Sequence, residues 1–133
     1  MTMQTKGTHI LCEYHGCDGA LLGDQEHIGA LMRRAVAAAG AKVVGCLLHP
    51  FSPQGVSGVV LVEESHLSIH TWPEVGYAAV DFYTCGDCDP QRADPVIREG
   101  LGATRAEVMV VGRGEAGGLE VRSRSRPAGG RGC

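Results

Sequence analysis

The chain has 133 residues, 44% of them hydrophobic, which is enough for one domain with a buried core. Twelve Lys and Arg residues against 15 Asp and Glu residues give a net charge of −3, which argues against a nucleic-acid partner. The apolar runs are too short to span a membrane, and the N-terminus lacks an apolar signal segment. We therefore expect a cytoplasmic protein whose six cysteines are reduced.

The predicted elements follow the order β-α-β, then a three-strand meander, then α-β. The clearest is a helix over residues 24–39, where apolar residues recur on one face at helical spacing. Asp24 suits its first position and Gly40 suits its end. The other predicted elements are strands over 9–15, 42–49, 56–62, 66–72, 77–83 and 105–111, and a weaker helix over 91–101.

This order of elements predicts an α+β fold, a two-layer sandwich with a mostly antiparallel sheet and both helices on one face. Residues 1–112 would form this single domain. The chain is too short to supply a third layer, so we expect two copies to dimerise into a larger sandwich. Residues 113–133 are rich in Gly, Arg and Ser without apolar periodicity, which predicts a disordered tail.

The most informative motif lies within the meander. Residues 63–74 read Glu-Glu-Ser-His-Leu-Ser-Ile-His-Thr-Trp-Pro-Glu, so that the Glu64-Ser65 bond is followed by His66 and His70. A serine hydroxyl beside a backbone carbonyl can attack that carbonyl and convert the amide into an ester. Elimination from the ester can then leave a ketone at the serine position. The motif therefore has the groups needed to build a cofactor from the chain itself.

Pairing within the meander suggests which polar residues meet. If residues 73–76 form a tight turn, Trp72 faces Tyr77. The same register brings Ser65 beside Cys85, at the far end of the two strands.

The other turn of the meander is expected over residues 63–65, which makes Val62 face His66. His70 then faces Gly58, with Ser57 beside it. A bulge in either strand would shift this register.

The two predicted clusters lie at opposite ends of one strand. Ser65 and His70 are five residues apart, about 16 Å at 3.3 Å per residue, and they point to opposite faces of the sheet. One chain cannot easily bring these groups together. A two-fold dimer could place one end of each meander against the other end of its mate, so we expect shared sites.

The motif and its flanks resemble the bacterial and archaeal type of S-adenosylmethionine decarboxylase. The matching segments are residues 55–60, 64–74, 76–81 and 84–86. The resemblance extends from about residue 8 to residue 111 and leaves the tail unmatched. It implies an enzyme with the fold predicted above, acting on S-adenosylmethionine as a dimer with shared sites.

The resemblance implies that the chain is made as an inactive proenzyme that cuts itself between Glu64 and Ser65. Residues 1–64 would become a β chain, and residues 65–133 an α chain headed by a pyruvoyl group made from Ser65. This ketone would form a Schiff base with the substrate amine and accept electrons during decarboxylation. The product, decarboxylated S-adenosylmethionine, would feed spermidine biosynthesis.

The lysine content independently argues against pyridoxal phosphate as the cofactor. A pyridoxal enzyme needs a lysine for its internal imine. This chain contains Lys6, near the N-terminus, and Lys42, at a helix–strand junction, and no other lysine. We expect neither pyridoxal phosphate nor a metal ion.

Roles for processing and catalysis also come from the resemblance. His70 would be the base in the elimination step, and Ser57 would donate a hydrogen bond to the tetrahedral intermediate of the acyl shift. Cys85 would return a proton to the decarboxylated carbon, because a thiol can titrate near neutrality.

The resemblance likewise implies substrate contacts. Phe51 would stack on the adenine and lie near the sulfonium, since aromatic faces attract both. Glu74 would accept hydrogen bonds from the ribose hydroxyls, and Leu67 would be a third substrate contact.

Two alternative functions remain open from the sequence. One keeps the fold and the pyruvoyl chemistry but acts on ornithine or arginine, which offer no adenine or ribose to hold. The other is a non-enzymatic metal or redox module built on the pair Cys85 and Cys88, with Cys12 and Cys17 as a second pair.

Overall fold

The computed structural model describes residues 5–125 of the chain. Its strands are β1 (Gly7–His15), β2 (Val43–Pro50), β3 (Val56–Val62), β4 (Ser65–Trp72), β5 (Tyr77–Cys85), β6 (Arg105–Arg113) and β7 (Glu120–Ser125). Its α-helices are α1 (Gly19–Leu22), α2 (Gln25–Ala38) and α3 (Ala93–Gly100). Each predicted helix and strand is present, and its ends differ from the prediction by no more than two residues.

One antiparallel sheet contains all of these strands, in the order β2-β3-β4-β5-β1-β6-β7. Helices α2 and α3 contribute to a single core with one face of this sheet. The predicted α+β two-layer sandwich is therefore confirmed. The connection through α1 and α2 carries the chain to the far edge, so that β1 lies inside the sheet between β5 and β6.

Helix α2 begins and ends where the sequence predicts. The Asp24 carboxylate accepts a hydrogen bond from the backbone N–H of His27 at 3.1 Å, which satisfies one of the free amides of the first turn. Gly40, just beyond the last turn, has a φ of +84°, a conformation that favours glycine. The residues that face the sheet are buried: Ile28, Leu31, Met32, Ala35 and Val36.

Side chains alternate strictly across the central strands. In β4, Leu67 and Ile69 are buried beneath the helices, whereas His66, Ser68 and His70 point to the opposite face. Within residues 5–125 no helix covers that second face, which we call the open face. It carries most of the polar side chains of the predicted site.

Several apolar side chains also lie on the open face. Leu11, Leu61 and Leu47 are 44%, 53% and 70% exposed. Exposed leucines on a sheet face are costly to leave in water and are typical of an association surface. Dimerisation through this face stays a prediction.

The predicted disordered tail is wrong for residues 113–125. Strand β6 continues to Arg113, and β7 pairs with it along the sheet edge. Every residue of β7 is exposed, so this strand has no apolar alternation to detect in the sequence. Backbone pairing and ion pairs hold it instead, including one between Arg124 and Glu107 at 3.2 Å. Residues 126–133 of the predicted tail lie outside the described residues.

Sequence patterns also missed helix α1. It has four residues, which is too short for a helical repeat, and it begins where the Asp18 side chain accepts from the Ala20 N–H at 2.9 Å.

In the described part of the chain no helix is long and apolar enough to cross a membrane.

Loss of the Asp24 cap should weaken the fold measurably. We expect Asp24→Ala to lower the free energy of unfolding by about 1 kcal/mol, because an amide of the first turn of α2 loses its partner. Urea unfolding followed by circular dichroism measures this change. The control is Gln25→Ala at the next, exposed position, and equal losses from both variants would contradict the capping role.

Candidate active site

The turn between β3 and β4 holds the predicted cleavage point under strain. Glu63 and Glu64 form this turn, and Glu64 has a φ of +60°. It is the only non-glycine residue with positive φ in residues 5–125. Such a conformation costs roughly 1–3 kcal/mol for a residue with a side chain. Backbone strain is therefore located at the Glu64-Ser65 bond.

The length of this turn corrects one predicted register. Val62 pairs with Ser65, not with His66, because the turn has two residues where three were predicted. His70 consequently lies directly opposite Ser57. The prediction that His70 faces Gly58 is wrong by one residue.

The other predicted register, between β4 and β5, is confirmed. Trp72 pairs with Tyr77, and the turn between them ends at Gly76, whose φ of +64° suits a glycine. This register extends to the far end of β4, where Ser65 and Cys85 lie side by side, as predicted.

Cys85 contacts both groups that would react at the cleavage point. Its backbone N–H donates to Ser65 Oγ at 3.2 Å, and its Sγ lies 3.5 Å from the carbonyl oxygen of Glu64. The thiol is also 3.6 Å from the Tyr83 hydroxyl, and this hydrogen bond raises the pKa of Tyr83 above its ordinary value. The attacking hydroxyl and the attacked carbonyl are thus held by one residue.

The second predicted cluster is also formed. Ser57 Oγ and His70 Nδ1 lie 2.7 Å apart on the open face, at hydrogen-bonding distance. They line a depression of about 240 Å³, together with Leu47 and His49 of edge strand β2 and Val59 of β3. Polar atoms of a partner molecule could reach the imidazole here.

One chain keeps the two clusters apart. Ser65 begins β4, while His70 lies five residues further along it, about 16 Å away at 3.3 Å per residue. Cys85 is near Ser65, and Ser57 is near His70. The structure of a single chain therefore does not bring all four residues into one site.

Phe51 and Glu74 lie at the His70 end of the sheet. Phe51 is 50% exposed and opens a loop closed by a hydrogen bond from its N–H to the Gly55 carbonyl at 2.8 Å. Its ring makes an edge contact with His49, with 5.0 Å between centroids. Glu74 is exposed in the short 3-10 turn Pro73–Val75, which follows β4.

The structure places Leu67, a predicted substrate contact, in the core and not on the open face. Leu67 is 0% exposed and belongs to the core beneath the helices. Its parity on β4 directs the side chain away from the open face. A substrate contact through Leu67 stays a prediction that the burial of this residue does not support.

Trp72 was missed as a candidate site residue. Its ring is 42% exposed and stacks on Tyr77, with 5.2 Å between centroids and 22° between planes. It directly precedes the turn that carries Glu74. The sequence could have indicated this position, because Trp72 is two residues from His70 on β4 and therefore points to the same face of the sheet.

A cluster around Asp81 was also missed. His9 Nε2 lies 2.6 Å from Asp81 Oδ2, and His66 Nε2 lies 3.1 Å from the same oxygen. The Ser68 hydroxyl donates to the other oxygen, Oδ1. Burial raises the pKa of Asp81, but the hydrogen bonds from His9, Ser68 and His66 outweigh it and lower that pKa below its ordinary range. We call these four residues the Asp81 cluster.

Arg113 determines the proton arrangement on His9. Its guanidinium lies 3.1 Å from His9 Nδ1 and can only donate, so Nδ1 accepts and Nε2 carries the proton that is given to Asp81. The same guanidinium lies 4.5 Å above the Tyr83 ring. The His9 ring is thus held between a cation and a carboxylate.

The spacing of His9, His66 and Asp81 is also suitable for a metal ion, and it is the one such group in residues 5–125. Coordination through His9 Nε2 would require the proton to move to Nδ1, where it would face Arg113. The hydrogen-bonded arrangement therefore fits the cluster better.

The proposed cysteine module lacks a suitable second pair. Cys12 is 1% exposed in the core, where burial raises its pKa to about 12. A thiol with such a high pKa rarely forms the thiolate, so it is a poor metal ligand and a poor nucleophile.

Comparisons with known proteins agree with this geometry. The family described as S-adenosylmethionine decarboxylase matches residues 8–114. The S-adenosylmethionine decarboxylase proenzyme of Clostridium tetani is 50% identical over 113 residues, 84% of this chain and 90% of the relative. The S-adenosylmethionine decarboxylase proenzyme 1 of Bacillus anthracis is 46% identical over 128 residues, 96% of this chain and 98% of the relative.

Solved structures show the same fold. The crystal structure of the adenosylmethionine decarboxylase from Aquifex aeolicus matches with a TM-score of 0.73 and 39% identity, covering 81% of this chain and 90% of that one. Because the family match spans most of the sequence and the relatives match along nearly their full length, this chain belongs to the S-adenosylmethionine decarboxylase family.

Proposed function

We propose that this chain is a self-processing, pyruvoyl-dependent decarboxylase that converts S-adenosylmethionine to decarboxylated S-adenosylmethionine and CO2, for spermidine biosynthesis. The observation that carries the proposal is the strained Glu64-Ser65 bond, whose hydroxyl and carbonyl both contact Cys85. Membership of the family and the names of the relatives support the substrate.

Processing begins when Ser65 Oγ attacks the Glu64 carbonyl carbon, so that the amide becomes an ester and the Ser65 nitrogen becomes a free amine. Removal of the Ser65 Cα proton then breaks the Cβ–Oγ bond, and Glu64 leaves as a carboxylate that keeps that oxygen. The dehydroalanine left behind tautomerises to an imine, which water hydrolyses to a ketone and ammonia. The products are a β chain of residues 1–64 and an α chain of residues 65–133.

Strain and hydrogen bonding favour the first of these steps. The acyl shift releases Glu64 from its left-handed conformation, so part of the strain lowers the barrier. The Cys85 thiol donates toward the carbonyl oxygen on which charge develops. Ser57 and His70 would supply a further donor and the base for the elimination.

In the mature enzyme, the ketone at position 65 supplies the electron sink for decarboxylation. Cys85 lies beside that position and would return a proton to the substrate carbon. Phe51, Trp72 and Glu74 lie at the other end of the sheet and would hold the nucleoside, two by their rings and one by its carboxylate.

A dimer would unite the two ends. The open face carries exposed leucines, and a two-fold axis through it would place Ser65 and Cys85 of one chain near Ser57 and His70 of the other. Each dimer would then contain two equivalent sites. This arrangement resolves the separation of about 16 Å within one chain.

Self-cleavage and substrate choice test the function directly. We expect intact mass spectrometry of the wild type to show chains 1–64 and 65–133, and Ser65→Ala to remain one inactive chain because the nucleophile is gone. Ser123→Ala, on an exposed strand, is the control and should cleave normally. CO2 release should be fastest from S-adenosylmethionine. Cleavage of Ser65→Ala would contradict the mechanism, and a preference for ornithine or arginine would change the substrate.

Relief of the strain at the turn should slow processing. Glycine adopts a positive φ freely, so Glu64→Gly should lower the rate of chain cleavage by about tenfold, equivalent to about 1.4 kcal/mol of strain. Glu63→Gly, at the adjacent turn position without a positive φ, is the matched control. Cleavage is followed by gel densitometry after rapid translation in vitro. Equal rates in the two variants would show that strain plays no part.

Complementation between chains tests the shared site. We expect Cys85→Ala and His70→Ala proteins to be poorly active alone but to regain activity when co-expressed. Each heterodimer then has one site with both defects and one with neither, so activity should approach half the wild-type value per heterodimer. Tagged heterodimers isolated by tandem affinity steps provide the sample. Sites built within one chain would give no recovery.

A further inference from the structure

Conversion of Ser65 removes the polar contacts that hold this residue in the precursor. Ser65 pairs with Val62 in the ladder beside the turn, and its Oγ accepts from the Cys85 N–H at 3.2 Å. By the proposed function, on which this inference rests, the nitrogen leaves as ammonia and Oγ leaves with Glu64. The step that makes the pyruvoyl group therefore removes the contact with Cys85 and leaves position 65 without a backbone N–H for the ladder.

Cleavage also cuts the covalent link at the same point. The turn of Glu63 and Glu64 joins β3 to β4 in the precursor. After cleavage β4 begins as a free end, and the reactive ketone is its first residue. Free strand ends fray unless side chains or partners hold them.

The nearest side-chain contacts that survive are those to Asp81. His66, the residue next to the ketone, lies 3.1 Å from Asp81 Oδ2, and Ser68 donates to Oδ1. His9 of β1 binds the same carboxylate at 2.6 Å. We propose that Asp81 is a positioning residue that anchors the pyruvoyl-bearing end of β4 after cleavage.

The surroundings of His66 support an anchoring role. Its ring packs against the neighbouring rings of His9 and Tyr83, with centroid separations of 5.9 and 6.1 Å. Its side chain is 36% exposed in the single chain, and that of Asp81 is 26% exposed. A ring that packs against two other rings and is hydrogen-bonded at its tip restricts the backbone to which it is attached.

A carboxylate is specifically required at position 81. Asp81 accepts from two histidines and one serine, all acting as donors. Asparagine would offer one acceptor oxygen and would turn an N–H toward a donor. The Asp81→Asn variant keeps the shape of the side chain and removes the function.

Hydrogen exchange in two backgrounds distinguishes an anchor from a general structural role. We expect Asp81→Asn to speed amide exchange of residues 66–69 by about tenfold in the cleaved enzyme, because the free end loses its charge-assisted contacts. In the uncleaved Ser65→Ala background the intact turn still holds β4, so the same change should have little effect. Asp87→Asn, on the exposed turn after β5, is the control and should alter neither.

Reactivity of the ketone gives an independent measurement. In cleaved Asp81→Asn, phenylhydrazine should label the pyruvoyl group faster than in the wild type, and kcat should fall about tenfold with KM nearly unchanged. If Asp81→Asn cleaves too slowly to purify, Ser68→Ala is the substitute, because it removes one of the three donors to Asp81. It should speed labelling and lower kcat in the same direction but by a smaller factor.

Three results would overturn the anchor. Equal acceleration of amide exchange in the cleaved and uncleaved backgrounds would show that Asp81 has a general structural role. No acceleration in the cleaved enzyme would show that Asp81 does not anchor β4. Stoichiometric Zn2+ binding by the wild type, lost in Asp81→Asn, would show a metal site instead. These outcomes require only that the wild type cleaves. A wild type that remains one chain would overturn the proposed function, and the anchor with it.

Discussion

The antiparallel pairing of β3, β4 and β5 determines where the side chains of Ser57, Ser65, His70 and Cys85 lie. Strand β4 is central in this meander, and its two ends carry different chemistry: Ser65 at the start and His70 near the end. Its neighbours bring Cys85 to the first and Ser57 to the second. A shift of one residue in either ladder would move these side chains to the wrong face. The register therefore fixes the geometry of the site before any ligand binds.

The open face combines two features that rarely occur together on a solvated sheet. Exposed leucines and hydrogen-bonded histidines with a carboxylate share this face, and Leu11 pairs directly with Asp81. Apolar side chains favour association, whereas a buried polar cluster is tolerated only when its members satisfy one another. The Asp81 cluster meets this condition within one chain, so burial against a second copy would leave none of its side chains without a partner.

Sequence patterns with a clear physical signal predicted the fold well. The apolar face and the capping Asp24 located α2, and Gly76 marked the turn that fixed the register of β4 with β5. The other turn was predicted one residue too long because it contains no glycine. Glu64 occupies a left-handed position that turn rules assign to Gly or Asn. The error thus fell on a residue that departs from the usual backbone preference at the proposed cleavage point.

Contacts between distant segments could not be predicted in the same way. His9 and Asp81 are 72 positions apart and meet only because β1 is inserted beside β5. No periodicity in either segment reveals that neighbour. Strand β7 was missed for a different reason, since its side chains are all exposed and only backbone pairing and ion pairs hold it. Resemblance to the family supplied roles for Phe51 and Glu74, but their common location at one end of the sheet required the structure.

The position of β1 inside the sheet has a consequence for the cleaved protein. Strands β1 to β3 belong to residues 1–64, and strands β4 to β7 to residues 65–133, yet β1 lies between β5 and β6. The two chains are therefore interleaved, and neither can leave without opening ladders on both sides of β1. Cleavage would leave the native state intact while changing the molecularity of folding, from one chain that folds alone to two that must find each other. A cleaved molecule that unfolds would therefore refold less readily than the precursor, because its two chains must first associate. The precursor is the form from which this fold is most easily reached.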